Sequence, residues 1–211
     1  MSERSIENQQ EFANAVQYSL KIRNAMAKFS NRYNSSKLNA KLIKHIMQII
    51  KADTKNVRGQ RTVLMENLSM MQNLVLTESS APQLFIHQNF SAQIEGTNEC
   101  KAIFKFVGDF IPAIQIQKIK SATHLELSLA MIQTNFDDSS ETKIVEAVKY
   151  FQLTDPTNQS QSFETPALPA IPGFAFISIL FLSYYQEVNG IKYLLGSKSN
   201  NSSIITNVKV D

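Results

Sequence analysis

The sequence predicts an α+β fold, an amino-terminal helical hairpin or arm followed by an antiparallel β-sandwich. Three observations lead there. From Ile6 to about Tyr33 no Gly or Pro interrupts a run whose apolar residues recur at helical spacing. After Gly59 the period shortens to short apolar runs separated by polar residues, the pattern of strands in a sandwich or barrel. Near the end, Val188-Asn189-Gly190-Ile191 is a two-residue hairpin signature, because Asn and Gly both tolerate the positive φ that a type I′ turn demands.

The first helix is expected over 6–33. Phe12, Val16 and Leu20 form its apolar stripe, and Ile22, Met26, Phe29 and Tyr33 continue beside it. Asn34-Ser35-Ser36 breaks the pattern and offers an N-cap for a second helix over 36–52. That helix carries Leu38, Leu42, Ile46 and Ile49 on one side, widened by Ile43, Met47 and Ile50. Lys37, Lys41, Lys44 and Lys51 project from the other. Strands are expected around 63–65, 74–76, 84–86, 103–106, 114–119, 124–129 and 144–153. Four prolines within 155–172 (Pro156, Pro166, Pro169, Pro172) mark a surface loop rather than a strand. Residues 174–182 are apolar at every position but Ser178, which fits a strand covered on both faces, roofed by the helices on one of them. Residues 183–188 should pair with 191–195, and 203–210 should close the sheet after a loop at 199–202. The division implied is a basic helical arm, 1–61, and an antiparallel β-sandwich body, 62–211.

Composition excludes several classes. With 43% hydrophobic and 18% charged residues the 211-residue chain is globular rather than disordered. One cysteine, Cys100, permits neither a disulfide framework nor a thiolate metal cluster within the chain. No apolar run reaches the roughly 18 residues of a membrane span, and the first ten residues lack the apolar segment of a secretory signal. The expectation is a soluble protein made in the cytoplasm, its final location open. Charge is unevenly placed. Residues 1–61 hold twelve Lys and Arg against four acids, +8, while the rest of the chain holds nine against fourteen, −5. Such asymmetry suggests a basic arm meeting something acidic: nucleic acid, a membrane surface, or the body of another copy.

Catalytic chemistry is sparse. His45, His87 and His124 are far apart and match no HExxH or HxH spacing, and Cys100 has no CxxC partner. There is no GxSxG, P-loop or GxGxxG, and the six glycines never cluster. Asp137-Asp138, beside Ser139-Ser140, reads as a turn. The absence of Trp weakens a sugar-stacking glycosidase site. No catalytic residue, cofactor or metal ligand is assigned, and an enzyme is not expected. Met65, Met70 and Met71 could be an adaptable contact surface or core filling. In 54–61, Lys55, Arg58 and Arg61 surround Gly59. They could grip phosphate or a neighbouring subunit's carboxylates, or they could be a helix end where cations favour the dipole and Gly caps.

Residues 50–54 (Ile-Lys-Ala-Asp-Thr) and 58–61 (Arg-Gly-Gln-Arg) resemble a motif of a family of uncharacterised Bacteroidetes proteins. Ala122-Thr123-His124-Leu125, the 185–190 segment Tyr-Gln-Glu-Val-Asn-Gly, and Tyr193-Leu194 are similar to its later segments. The resemblance runs from about Glu7 to Val210. It implies basic amino-terminal helices, a strand-rich body and a terminal Asn-Gly hairpin, and it carries no activity. On these grounds the expected function is a non-enzymatic, self-assembling structural protein, a subunit of a filament, tube or phage-like particle, joined by head-to-tail contacts between copies. The alternative is a nucleic-acid-associated protein that binds phosphates through its basic helices. In either case the interaction residues expected are Lys37, Lys41, Lys44, Lys51, Lys55, Arg58 and Arg61.

Overall fold

The structure, a computed structural model, describes residues 3–32, 35–77, 81–136, 140–160, 162–195 and 200–210, with all of their side chains except those of 30–32, 35 and 36. Tyr33, Asn34, the expected turn at 137–139 and Gly196 lie outside the described residues, as do the side chains of Ser35 and Ser36 expected to cap the second helix.

Two helices come first, α1 (Glu3–Ala25) and α2 (Ser35–Lys51), joined through a 3-10 turn at Ala27–Arg32. On α2 the predicted face is the buried one: Leu38, Leu42, Ile46 and Ile49 are all at most 1% exposed. On α1 the stripe is turned by one position. Glu11, Ala15, Ser19 and Ile22 face inward, whereas Phe12 is 53% exposed and Leu20 is exposed with it. Two causes combine. Ala15 and Ser19 are small, so α1 approaches its neighbours closely along that line. Glu11 is drawn inward by Arg61 at 3.3 Å and by the Gly59 N–H at 2.9 Å. The helix expected over 6–33 ends at Ala25, and of the second stripe Ile22 in α1 and Met26 and Phe29 beyond it are buried.

The larger sheet is antiparallel. Its strand β3 (His124–Thr134) lies between β4 (Lys143–Gln152) and β7 (Ala175–Val188). The far edge of β7 pairs with β9 (Ser202–Val210) along one half and with β8 (Ile191–Leu194) along the other. The smaller sheet has β1 (Phe90–Glu95) against β2 (Glu99–Phe106), whose other edge takes two short strands, β5 (Phe163–Glu164) and β6 (Leu168–Pro169). Alternation on β7 explains its apolar run. Ile177, Ile179 and Phe181 join the helices in one core, while Phe176, Leu180, Leu182 and Tyr184 join β2 in the other. The central strand is therefore roofed by helices on one face and by the small sheet on the other. Phe29 of the helical layer stacks on Phe181 at 4.2 Å, and Tyr184, its phenol raised by burial, donates to the Gln117 carbonyl at 2.7 Å.

Four local expectations are corrected. Residues 63–65 are not a strand; the chain enters a 3-10 turn at Met65–Met71. Residues 84–86 follow a 3-10 turn at Pro82–Leu84, with only an isolated bridge from Ile86 to Ile116. The alternation at 114–119 begins instead inside a short helix, α3 (Pro112–Gln115), because Pro112 presets helical φ at its first turn and the Gln115 side chain accepts the Ile111 N–H at 2.5 Å. The proline-rich 155–172 stretch contributes β5 and β6; Pro169 is tolerated there because the strand is a two-residue edge. The 74–76 run does add to the large sheet, lying along the outer edge of β9 through hydrogen bonds from Asn73, Leu76 and Ile205 N–H groups.

The hairpin forms as expected. Asn189 and Gly190 have φ of 52° and 79°, and Val188 pairs with Ile191 across them. A Cβ at Gly190 would meet nothing within 4 Å. Gly190→Val should thus lose about 1–2 kcal/mol through backbone strain alone, and Gly190→Asn should recover most of it. Urea midpoints of the two variants check this, and equal midpoints would remove the case for a strained turn.

Candidate interaction surface

The segment after α2 is organised by carboxylates of its own chain. Asp53, 4% exposed, accepts from the N–H groups of Lys55 (2.8 Å) and Asn56 (3.1 Å) on one oxygen, and from Asn56 Nδ2 (2.8 Å) and the Thr62 N–H (3.0 Å) on the other. Burial pushes its carboxyl up, but the hydrogen bonds from the Asn56 side chain and from the Thr62, Asn56 and Lys55 backbone outweigh that and hold it at about 2. The resulting loop lays Gly59, φ +84°, directly against α1: a Cβ there would sit 3.0 Å from Glu7 Cγ and 3.3 Å from its Cα. Gly59 is accordingly a close-approach glycine, not the cap of α2, which ends eight residues earlier at Lys51.

The seven expected cations separate into two groups. Arg58 meets Glu7 at 3.4 Å and donates to the Asn8 side-chain Oδ1 at 2.7 Å; Arg61 meets Glu11 at 3.3 Å. Lys55 pairs with Glu66 at 2.8 Å, and Lys41 donates to the carbonyls of Val75 (3.4 Å) and Thr77. Arg58, Arg61 and Lys41 tie the helices to the chain that follows them, and Lys55 ties the loop after α2 to the 65–71 turn. Lys37, Lys44 and Lys51 are exposed, and Lys44 and Lys51 stand together on the wall of one groove.

That groove is the feature the sequence reading missed. It is an open groove of about 640 Å³ along α2, reached by Phe12 of α1, with Phe12, Ala40, Ile43 and Met47 as its apolar lining. Asn39, Lys44, Gln48 and Lys51 complete its lining. A smaller hollow continues it along α1, past Ser5, Asn8 and Gln9. The one-position turn of α1 is what creates it, since it places Phe12 outward over Ile43 and Met47. The signal available in the sequence was the small, polar line Glu11-Ala15-Ser19, which competes with Phe12-Val16-Leu20 for the inward face. The surface is apolar in its floor and cationic at its rim.

Other chemistry-bearing residues are scattered. His45 Nε2 lies 2.6 Å from the Met70 carbonyl and ties α2 to the methionine turn, in which Met71 is buried and Met70 is 41% exposed. His87 is exposed on a loop. His124 sits at the open end of the large sheet, 3.6 Å from Glu187. Its basicity is lowered by desolvation and by Lys192, against the opposing pull of Glu187. Cys100 is fully buried, its Sγ 3.1 Å from Lys209 Nζ. Among the described residues, no three His, Cys, Asp or Glu side chains converge as a metal site, and no helix is long and apolar enough to cross a membrane. Comparison with protein-family models, with curated proteins and with solved structures returns no match.

Proposed function

We propose that the protein is a non-enzymatic, self-assembling structural subunit whose helical layer docks on the body of a second copy, as in a filament, tube or phage-like particle. The observation that carries this reading is the groove: an exposed apolar floor of Phe12, Ile43 and Met47 beside Lys44 and Lys51. An apolar floor supplies affinity by removing area from water, and the cations select a partner surface of opposite charge. Residues 62–211 of another copy, at −5, have that sign. A contact between two different surfaces of one chain is heterologous, and repeats into rings or open helical filaments according to whether the rotation closes. Surface ion pairs contribute only about 0–1 kcal/mol each, so they set orientation and the apolar floor sets strength. The nucleic-acid alternative is less well served: Arg58 and Arg61 are held by Glu7 and Glu11, and phosphates gain nothing from Phe12 or Met47.

Multi-angle scattering and electron microscopy of the wild type should show concentration-dependent assembly that slows with salt, as screening shortens to about 10 Å at 0.1 M. Phe12→Asp should remain folded, since the ring is exposed, and should abolish assembly. Lys44→Glu with Lys51→Glu should slow assembly at low salt. A wild type that stays monomeric at high concentration and low salt overturns the reading. A double variant that instead loses binding in a nucleic-acid gel shift, with a reduced salt slope, transfers the groove to the alternative.

A further inference from the structure

A second concavity lies where the two sheets meet edge to edge. The outer edge of β1 and the later part of β9 face each other across a cleft of about 220 Å³. Asn207 spans it, accepting the Ile94 N–H on Oδ1 at 3.3 Å. Five of its lining residues carry side-chain amides, Gln72, Asn73, Gln83, Gln93 and Asn207, and Ser91 and Thr206 add hydroxyls. The side chains of Gln72, Asn73, Gln83 and Gln93 have no hydrogen-bond partner among the described residues. No charged side chain among those residues lines the cleft.

We infer that this cleft binds a neutral, polyhydroxylated ligand, a single sugar unit of a carbohydrate. The chemistry of the lining selects it. Each amide offers two donor hydrogens and an acceptor oxygen, and each sugar hydroxyl offers one donor and two lone pairs, so the two sets satisfy each other in both directions. A phosphate or carboxylate would lose its hydration without meeting a countercharge. A purely apolar ligand would bury the amides unpaired. An extended peptide does not fit. A strand inserted between β1 and β9 would hold them about 9.6 Å apart, two inter-strand spacings, yet Cα atoms of the two strands approach within 8 Å. The volume, about seven waters' worth, suits a compact ring rather than a chain. Phe90, stacked on Phe104 at 5.2 Å, also lines the cleft. The site uses neither the groove nor the helices, so it stands or falls apart from the assembly reading.

The test is nuclear magnetic resonance of the full chain, following the side-chain NH2 signals of the five amides. Glucose, galactose, mannose and N-acetylglucosamine are titrated singly up to about 50 mM, far enough to saturate a millimolar site, with adenosine as a neutral planar control. At least one saccharide should shift the five amide signals together and saturably. Gln83→Leu with Gln93→Leu, both at exposed positions, should keep the backbone spectrum and weaken that binding tenfold or more. The inference is overturned by saccharides that leave all five signals unmoved, by adenosine shifting them where the sugars do not, or by a double variant that binds as tightly as wild type.

Discussion

Leu42→Asp should leave the protein unfolded at room temperature or strip the helical arm from the sheet. Leu42 is fully buried in the core shared by α2, α1 and the large sheet. Removing its side chain costs about 2–5 kcal/mol in lost transfer and cavity terms. The carboxylate adds several kcal/mol more as an unpaired buried charge, or is protonated at a similar cost. Against a total stability of about 5–15 kcal/mol, that sum leaves little or nothing. Gln48→Asp puts the same residue on the exposed side of the same helix and should change stability by no more than about 0.5 kcal/mol. Circular dichroism and thermal melting of both variants decide the matter. A Leu42→Asp protein that melts with wild type would mean that α2 does not bury this face, whereas loss of helical signal with the sheet's transition preserved would show a detached arm.

Much of the architecture was legible because two periodicities did not compete. On α2, four large aliphatics at helical spacing opposed a row of lysines, so only one face could turn inward. On β7, apolar residues at consecutive positions could mean only burial on both sides. The Asn-Gly turn was legible because few residues accept positive φ twice in succession. The misreadings share a cause. At 84–86 and 114–119 the apolar residues are the same in kind as in true strands, but Pro82 and Pro112 impose turns through fixed φ that no hydropathy period reports, and at 63–65 the chain likewise runs into the 3-10 turn at Met65–Met71.

The groove that carries the proposed function was only partly legible. Charge asymmetry pointed to the helices, and Lys44 and Lys51 do flank the groove. Yet four of the seven expected cations close onto the protein's own carboxylates and carbonyls, a pairing that depends on the chain folding back over long separations, as from Arg58 to Glu7. The groove floor was hidden for a similar reason. Which face of α1 turns inward is decided by Arg61 and Gly59 reaching Glu11, and helical spacing alone favours the larger residues of the competing stripe.

Asp53→Ala should cost about 3 kcal/mol and loosen the clasp that holds α1. The carboxylate closes the 53–62 loop by itself, accepting four hydrogen bonds from three residues. Its removal leaves those donors, the Thr62 N–H among them, without a partner in a half-buried loop, and frees Gly59 and Arg61 from their alignment on Glu11. The same carboxylate makes stability depend on pH, with a definite sign. Its folded pKa of about 2 lies below the ordinary 3.8, so the folded state holds the charged form more strongly than the unfolded chain does. The contribution is complete above the ordinary value and disappears as pH falls through the window between 3.8 and about 2. Asp53→Asn keeps the shape but turns donors toward donors on one side, so it should lose stability at neutral pH and show no contribution from this position to the acid limb. Urea midpoints of wild type and Asp53→Asn should therefore differ most at neutral pH and converge as pH drops towards about 2.5. A gap that stays constant across that window, or an Asp53→Ala variant within about 0.5 kcal/mol of wild type, would show that the loop is held by the arginine contacts and not by this carboxylate.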